Sequence, residues 1–463
     1  MLVSFLGFLA LFVIVGLSSF FHSRGTKQDY YLASQSIRPS LVGLSAVATN
    51  NSGYMFIGVI GYTYATGFAA IWLMLGWLAG DYLSSMFVHR RLRRMSIETG
   101  ELSYAGVLSS WTGGQQPALQ RVLAMMSLIF LLAYASAQLV AGSKALQVLF
   151  GWHPATGVII GTVMVALYCV AGGIRASIWT DVAQSIVMIS AMGLLLVVAT
   201  TSLGGPAAAL AEMSKIDGFL DLSPKDTFLP GVAGALLFIA GWAVAGFSVI
   251  GQPHIMVRFM TLDSGDKMKR ARLWYYLWFF AFYLMATAVG MLARIYLADT
   301  GSFDPELALP TIALQLLPPV LVGLILAGVF AATMSTADSL ILSCSSALTH
   351  DLLPHKVESS VFIKLTTIAI AVAAMVLALM SSESVFSLVI LAWSGLGSAF
   401  APLLLVLVVG LKPGEKISIV AAVAGLITVM LWRHYGLQST VYEGLPGMLV
   451  GLVILVLPQL LKK

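Results

Sequence analysis

Apolar residues run in stretches of about twenty along the whole chain, separated by short polar connections. At 1.5 Å of rise per residue, about 20 such residues carry a helix across a bilayer. The pattern predicts thirteen segments, at approximately 2–21, 38–62, 67–88, 118–150, 154–171, 173–202, 228–256, 269–299, 318–349, 360–381, 383–411, 415–434 and 444–461. Two connections are longer. Leu203 to Thr227 contains a predicted surface helix at Ala207–Ser214, and in Ala298 to Pro318 the prolines Pro310, Pro318 and Pro319 mark breaks. No soluble domain fits between the segments, so residues 1–463 read as one all-α polytopic transmembrane domain.

The second segment is unlike its neighbours. Ala48-Thr49-Asn50-Asn51-Ser52-Gly53 places small and polar residues where a spanning helix is ordinarily apolar. In hydrocarbon an unpaired backbone N–H or C=O costs several kcal/mol, so a broken helix survives only where it is buried or lines a cavity. Freed carbonyls there bind cations, and half-helix ends bind charged solutes. The alternative is packing, since Gly and Ser are common at helix contacts in membranes. A second small, hydroxyl-rich run, Ala331-Ala332-Thr333-Met334-Ser335-Thr336-Ala337-Asp338-Ser339, lies in the ninth segment. Ser335 and Thr336 supply hard, neutral oxygens, and Ala332 adds a carbonyl if its helical bond is weakened. Such ligands suit a monovalent cation that must bind and then leave. Back-bonding of the hydroxyls to the preceding turn is the plainer reading.

Composition agrees with the hydropathy pattern. The chain is 59% hydrophobic and 10% charged, against roughly a quarter charged in soluble proteins, and its mean hydropathy is +0.94. The net charge of +5 is therefore no nucleic-acid signal. The basic run His89-Arg90-Arg91-Leu92-Arg93-Arg94 follows an apolar segment, as a cytoplasmic stop does. With the N-terminus outside, every Lys and Arg except Lys144, Lys215, Lys225, Arg294 and Arg433 falls on the inner side. This predicts a multi-pass protein of the plasma (inner) membrane, N-terminus out and C-terminus in. The first segment, lacking a basic leader, reads as a retained span. Cys169 and Cys344 form no CxxC pair, the seven His are scattered, and no G-x-x-x-x-G-K motif is present. Nothing implies a cofactor, a resident metal cluster, an enzyme's nucleophile–base pair or an obligate protein partner.

Three carboxylates sit well inside segments: Asp81, Asp181 and Asp338. A buried carboxylate faces a polar pathway or a partner. Asp81 reads as a packing carboxylate. Asp181, within Trp179-Thr180-Asp181-Val182-Ala183-Gln184, reads as functional. Gln138 offers an amide either to a polar solute or to a neighbouring helix.

At these motifs the sequence resembles the sodium:solute symporter family, particularly its sodium/proline branch. The resemblance runs through Ser45-Ala46, Asn51-Ser52-Gly53, Ala171-Gly172-Gly173, Trp179-Thr180-Asp181, Gly251-Gln252-Pro253-His254, Arg258-Phe259-Met260 and Ala332 to Ser339. It implies the leucine-transporter-like fold of two inverted five-helix repeats, here about 38–202 and 228–411. Segments 2–21, 415–434 and 444–461 are then extra, and the second and seventh segments are broken. Gly241, Gly246 and Gly251-Gln252-Pro253 supply helix-weakening residues in the seventh.

Carried over by position, the resemblance puts sodium on the carbonyls of Ala48, Asn51 and Ala332 and the hydroxyls of Ser335 and Thr336. Asp181 matches a carboxylate that assists sodium binding or its exit to the cytoplasm. The implied solute site takes in Asn50, Ser52, Gly53, Tyr134, Gln138, Ala245 and Val249. Asn50 replaces an Asp of the proline branch, and Ala245 and Val249 replace a Trp and a Tyr, with Trp242 and Phe247 out of register. The expected function is symport of sodium with a small polar solute, an amino acid such as proline or a small organic acid. Two alternatives stay open: proton coupling through Asp181 or Asp338, and a transporter-like sensor.

Overall fold

Helices form every long element of the computed structural model, which describes residues 1–225, 227, 229–297, 303–353, 357–380, 384–439 and 441–460. Lys356, Lys462 and Lys463 of the charge count lie outside these residues. The helices are α1 (Leu2–Ser18), α2 (Pro39–Gly53), α3 (Ile60–Thr66), α4 (Ile71–Glu98), α5 (Pro117–Phe150), α6 (Pro154–Ser202) and α7 (Gly231–Phe247). They continue as α8 (Pro253–Met260), α9 (Met268–Tyr296), α10 (Pro319–Ser346), α11 (Ser360–Met380), α12 (Val385–Val408), α13 (Glu415–His434) and α14 (Gly444–Leu460). The expected surface helix is present at Pro206–Met213, and in the loop after it the carbonyls of Phe219 and Leu222 accept from Phe68 N–H and Trp72 Nε1–H.

Among the described residues, ten stretches are by length and composition able to cross a membrane, and α14 is a shorter apolar helix. Two of the ten change direction internally. One holds α2, α3 and α4. The other, α6, turns at Gly173, whose φ of 56° and ψ of −138° suit a residue without Cβ. Arg175, just beyond the turn, pairs with Asp29 at 2.6 Å and so ties the first connection to the bend. The run His89–Arg94 stays helical and is used as a tether: Arg93 Nε donates to Leu262 O and Arg91 Nη1 to Val408 O.

Burial sorts the helices. The apolar window of α10 is 83% buried, that of α1 or α13 only 28%. The most enclosed helices are thus α12, at 89%, and α10, which packs on α1, α2, α5 and α6, while α1, α11 and α13 face outward. Along α4 and α7 the backbones nearly touch: a Cβ on Gly80 would lie 1.8 Å from Ala243 O, and one on Gly246 1.9 Å from Trp77 O. Close approach of this kind is what small residues permit between membrane helices.

Two helices are discontinuous. Near the end of α2, Ser52 adopts φ 42° and ψ −178°, and a π turn over Tyr54–Val59 leads into α3. After α7, a 3-10 turn over Ser248–Gly251 and extended Gln252 precede α8, which starts on Pro253. Gly241 and Gly246, expected to weaken this span, lie in continuous helix, and Gly246 serves the contact with α4. Ile37, two residues before α2, and Leu262, two residues after α8, form a bridge, so that start and that end share one side.

Candidate functional site: a broken helix against a hydroxyl-bearing helix

The last four carbonyls of a helix have no partner within it. The discontinuity at Ser52 therefore frees those of Ala48 to Asn51. Two hydroxyls of α10 meet them. Ser335 Oγ lies 3.2 Å from Ala48 O and 3.1 Å from Ala332 O. Thr336 Oγ1 lies 2.8 Å from Thr49 O and 3.2 Å from Ala332 O. Four of the five expected oxygens, those of Ala48, Ala332, Ser335 and Thr336, are thus drawn together on two facing helices, and all four residues are fully buried. The fifth, Asn51 O, instead accepts the Tyr54 N–H at the cap, and its side-chain amide returns to Val47 O at 2.8 Å. The donor set is neutral and all oxygen, as a weakly held monovalent cation requires.

One turn closer to the Ile37–Leu262 side, Asp181 receives the Ser45 hydroxyl at 2.6 Å. Arg258, from the short helix α8, reaches between two carboxylates: Nη2 is 3.3 Å from Asp181 Oδ2 and 3.6 Å from Asp338 Oδ1. The same guanidinium donates to Ser177, Ser339 and Thr49, and Ser339 in turn donates to Ser335 O at 2.6 Å. All three charged side chains are fully buried. Formally one cation faces two carboxylates, leaving the neighbourhood of the four oxygens short of positive charge. Arg258 was legible only as part of a motif. The signal for its role is its type, since an Arg in an apolar segment must be paired.

On the other side of the break the surroundings turn aromatic. Gly53 N–H donates to Gln138 Oε1 at 2.7 Å, and the Tyr134 hydroxyl lies 3.2 Å from Ser52 Oγ, which itself caps Tyr54 N–H. Tyr134 packs edge-on against His254, and His254 against Trp393, whose indole N–H donates to Ala245 O at 2.8 Å. Trp77 joins Trp393 to Tyr54 with centroids 5.0 and 5.6 Å away. Several buried polar atoms here lack a hydrogen-bond partner among the described residues: Gln138 Nε2, both nitrogens of His254, Trp77 Nε1 and Tyr54 OH. Buried polar atoms are normally satisfied, so such a cluster requires a reason.

The structure therefore brings Ser52, Gly53, Tyr134 and Gln138 together. Ala245 lies behind Trp393, and buried Val249 accepts the Gln252 N–H in the second break. Asn50 points elsewhere. It donates to Asp81 Oδ2 at 3.2 Å and to the Tyr275 hydroxyl, while Tyr275 and Tyr276 each donate to Asp81 at 2.7 Å. Asp81 thus joins α2, α4 and α9, in line with its reading as a packing carboxylate. Trp77, His254 and Trp393 were not picked out, because their convergence arises from three separate segments.

Two discontinuous helices meeting at a buried polar centre are the mark of a leucine-transporter-like fold, and solved structures agree with that fold. A sodium-coupled sialic acid symporter, substrate-bound and outward-open, superposes with TM-score 0.81 at 18% identity, covering 99% of this chain and 97% of that one. MhsT in complex with L-phenylalanine gives 0.58 at 16%, over 92% and 98%. The chain belongs to the sodium:solute symporter family, whose model matches residues 30–425. It is 30% identical to the high-affinity proline transporter of Bacillus subtilis over 92% of this chain and 90% of that protein. It is 29% identical to the sodium/proline symporter of Escherichia coli over 100% and 93%. The family and these relatives are transporters, not enzymes.

Proposed function

We propose that this protein couples inward sodium movement to uptake of a small polar solute, an amino acid or small organic acid, by alternating access. The observation that carries the reading is the junction of the α2 break with Ser335 and Thr336. It joins an oxygen cage for a cation to a solute region only a few residues further along the same broken helix. The naming of relatives as proline carriers makes proline one candidate. Ala245 and Val249, small where that branch is aromatic, leave room for other solutes, and one methylene shifts discrimination by about 1–3 kcal/mol.

In this reading sodium sits on the carbonyls of Ala48, Asn51 and Ala332 and the hydroxyls of Ser335 and Thr336. Asn51 O would exchange its bond from Tyr54 N–H for the ion. The solute takes the unpartnered donors of Gln138 and His254 beside Ser52, Gly53 and Tyr134. Asp181 draws the ion toward the cytoplasm once α8 withdraws Arg258. The two bent stretches each count as two passes and α14 as one, giving thirteen, with repeats at about 38–202 and 228–411. The N-terminus is outside and the C-terminus inside the plasma (inner) membrane. The driving force suffices: about 2.3 kcal/mol per charge across 100 mV and about 1.4 kcal/mol from a tenfold sodium gradient together sustain roughly 500-fold accumulation of a neutral solute.

The test is uptake into proteoliposomes of pooled labelled amino acids and organic acids, with an inward sodium gradient and a potassium control. Sodium-dependent uptake is expected, abolished by Ser335→Ala/Thr336→Ala. Uptake indifferent to sodium but following pH would transfer the coupling to Asp181 or Asp338. Binding without uptake would make the protein a sensor.

A further inference from the structure

Between α8 and the end of α10 lies a cavity of about 30 Å³, lined by Arg258 and Asp351 with Ser103, Ser127, Ser343 and Ser346. Here α10 passes into a π turn over Ala347–Leu352, a rare geometry that recurs at functional sites. Asp351, within that turn, is only 7% exposed. Its Oδ1 accepts the Ser103 hydroxyl at 2.6 Å and the Gln120 amide at 2.7 Å. Both donors are neutral. The adjacent His350 pairs with Glu101 instead, at 2.8 Å. Among the described residues no basic side chain forms an ion pair with Asp351, although a buried carboxylate ordinarily has a charged partner. Ser346, equally buried, keeps an Oγ with no hydrogen-bond partner among the described residues, where buried hydroxyls are normally satisfied. A carboxylate short of a cation and a hydroxyl short of a partner thus line one small space. Size narrows the occupant. A water needs about 10–15 Å³ of such volume, so the cavity takes one monovalent ion with a water and excludes an amino or organic acid. Charge narrows it further. Arg258 is already outnumbered by Asp181 and Asp338, and with Asp351 three carboxylates surround one guanidinium, whose unpartnered Nη1 suits the water.

We infer that Asp351 and Ser346 form a release site for sodium at the inner end of its path, with the Ser343 hydroxyl beside them. The ion leaves the oxygen cage when α8 withdraws Arg258, passes Asp181, and is held at Asp351 before it enters the cytoplasm. One carboxylate among neutral hydroxyls is an oxygen set that binds a monovalent cation and lets it go. Cytoplasmic sodium reaches the same place from the other end. An occupied release site blocks the next ion, so internal sodium slows uptake through Asp351. The inference rests on the proposed sodium symport and its orientation.

The test uses the full-length protein, uniformly oriented in proteoliposomes, and the labelled solute that the pooled uptake selects. Initial uptake is measured at fixed external sodium while sodium chloride replaces potassium chloride inside. External half-saturation is measured separately with a sodium-free interior. Asp351→Asn should raise the internal sodium that halves uptake by roughly tenfold, the loss of one charged ligand, and leave the external constant within about twofold. Ser346→Ala, which removes only the unpartnered hydroxyl, should raise the internal constant by roughly threefold. It stands in should Asp351→Asn fail to fold. A purely structural Asp351 gives a different pattern. Loosening the inner closure favours the inward-facing state, so the internal constant would fall while the external one rose, and that result would overturn the inference. So would an internal constant unmoved by both variants, which would place inhibition at the oxygen cage itself. Uptake by the unaltered protein that ignored external sodium would refute the symport reading, and the release site with it.

Discussion

The two helix breaks are made by different means. The second is written locally: Gln252 in extended conformation is followed by Pro253, which has no N–H to continue a helix and a φ suited to starting one. The first has no proline. Ser52 stands at a positive φ with ψ near 180°, which costs an L-residue about 1–3 kcal/mol. What holds it comes from far away in sequence: Gln138 and Tyr134 on α5, Ser335 and Thr336 on α10. A break supported from outside responds to what its supports bind. A break built from its own residues is a fixed joint. The ion-binding half of the proposed site lies at the responsive one.

The comparison is sharpest at Arg258, which sits just after the second break and bonds to Thr49 just before the first. Arg258→Gln leaves Asp181 and Asp338 buried without their cation and should destabilise the protein by about 3–5 kcal/mol, read as loss of thermal stability. Asp181→Asn/Asp338→Asn in the same chain should recover much of it. Next comes Gln138→Leu, which strands the Gly53 N–H at a cost of about 1–3 kcal/mol. Sodium-driven uptake should fall and the sodium half-saturation should rise, because the oxygen cage and this amide share one distorted segment. An unchanged sodium dependence would show that the break supports itself. Ser52→Gly and Ser52→Ala then separate strain from capping. Both lose the hydroxyl, but only Gly relieves the backbone, so Gly should be the more stable by about 1 kcal/mol. Smallest is Pro253→Ala, expected to stay within about 1 kcal/mol of the parent with uptake retained.

This difference also explains what was legible beforehand. The Gly-Gln-Pro run and the polar run at residues 48–53 both stood out against apolar neighbours, and each marks a break. Ser335 and Thr336 stood out for the same reason. Gly241 and Gly246 were misread as weak points because glycine serves packing as readily as bending inside a membrane; both stay helical. The direction of Asn50 was not readable, because its partner Asp81 lies on another helix and its other neighbour Tyr275 on a third. Arg258 and the ring of Trp77, His254 and Trp393 belong to the same class. Residue type announced that each needed a partner, while only the assembled fold named it.

The near contact of α4 with α7 has a mechanical consequence. Helices separated by side chains can slide as rotamers change, whereas two backbones lodged against each other at Gly80 and Gly246 must travel as one lever. Spin labels on α4 and α7 should keep a constant separation through the transport cycle, while either one measured against α10 changes distance. Adding a single methyl at Gly80 wedges that lever apart at Ala243, so Gly80→Ala should slow turnover even though no solute or ion comes near it.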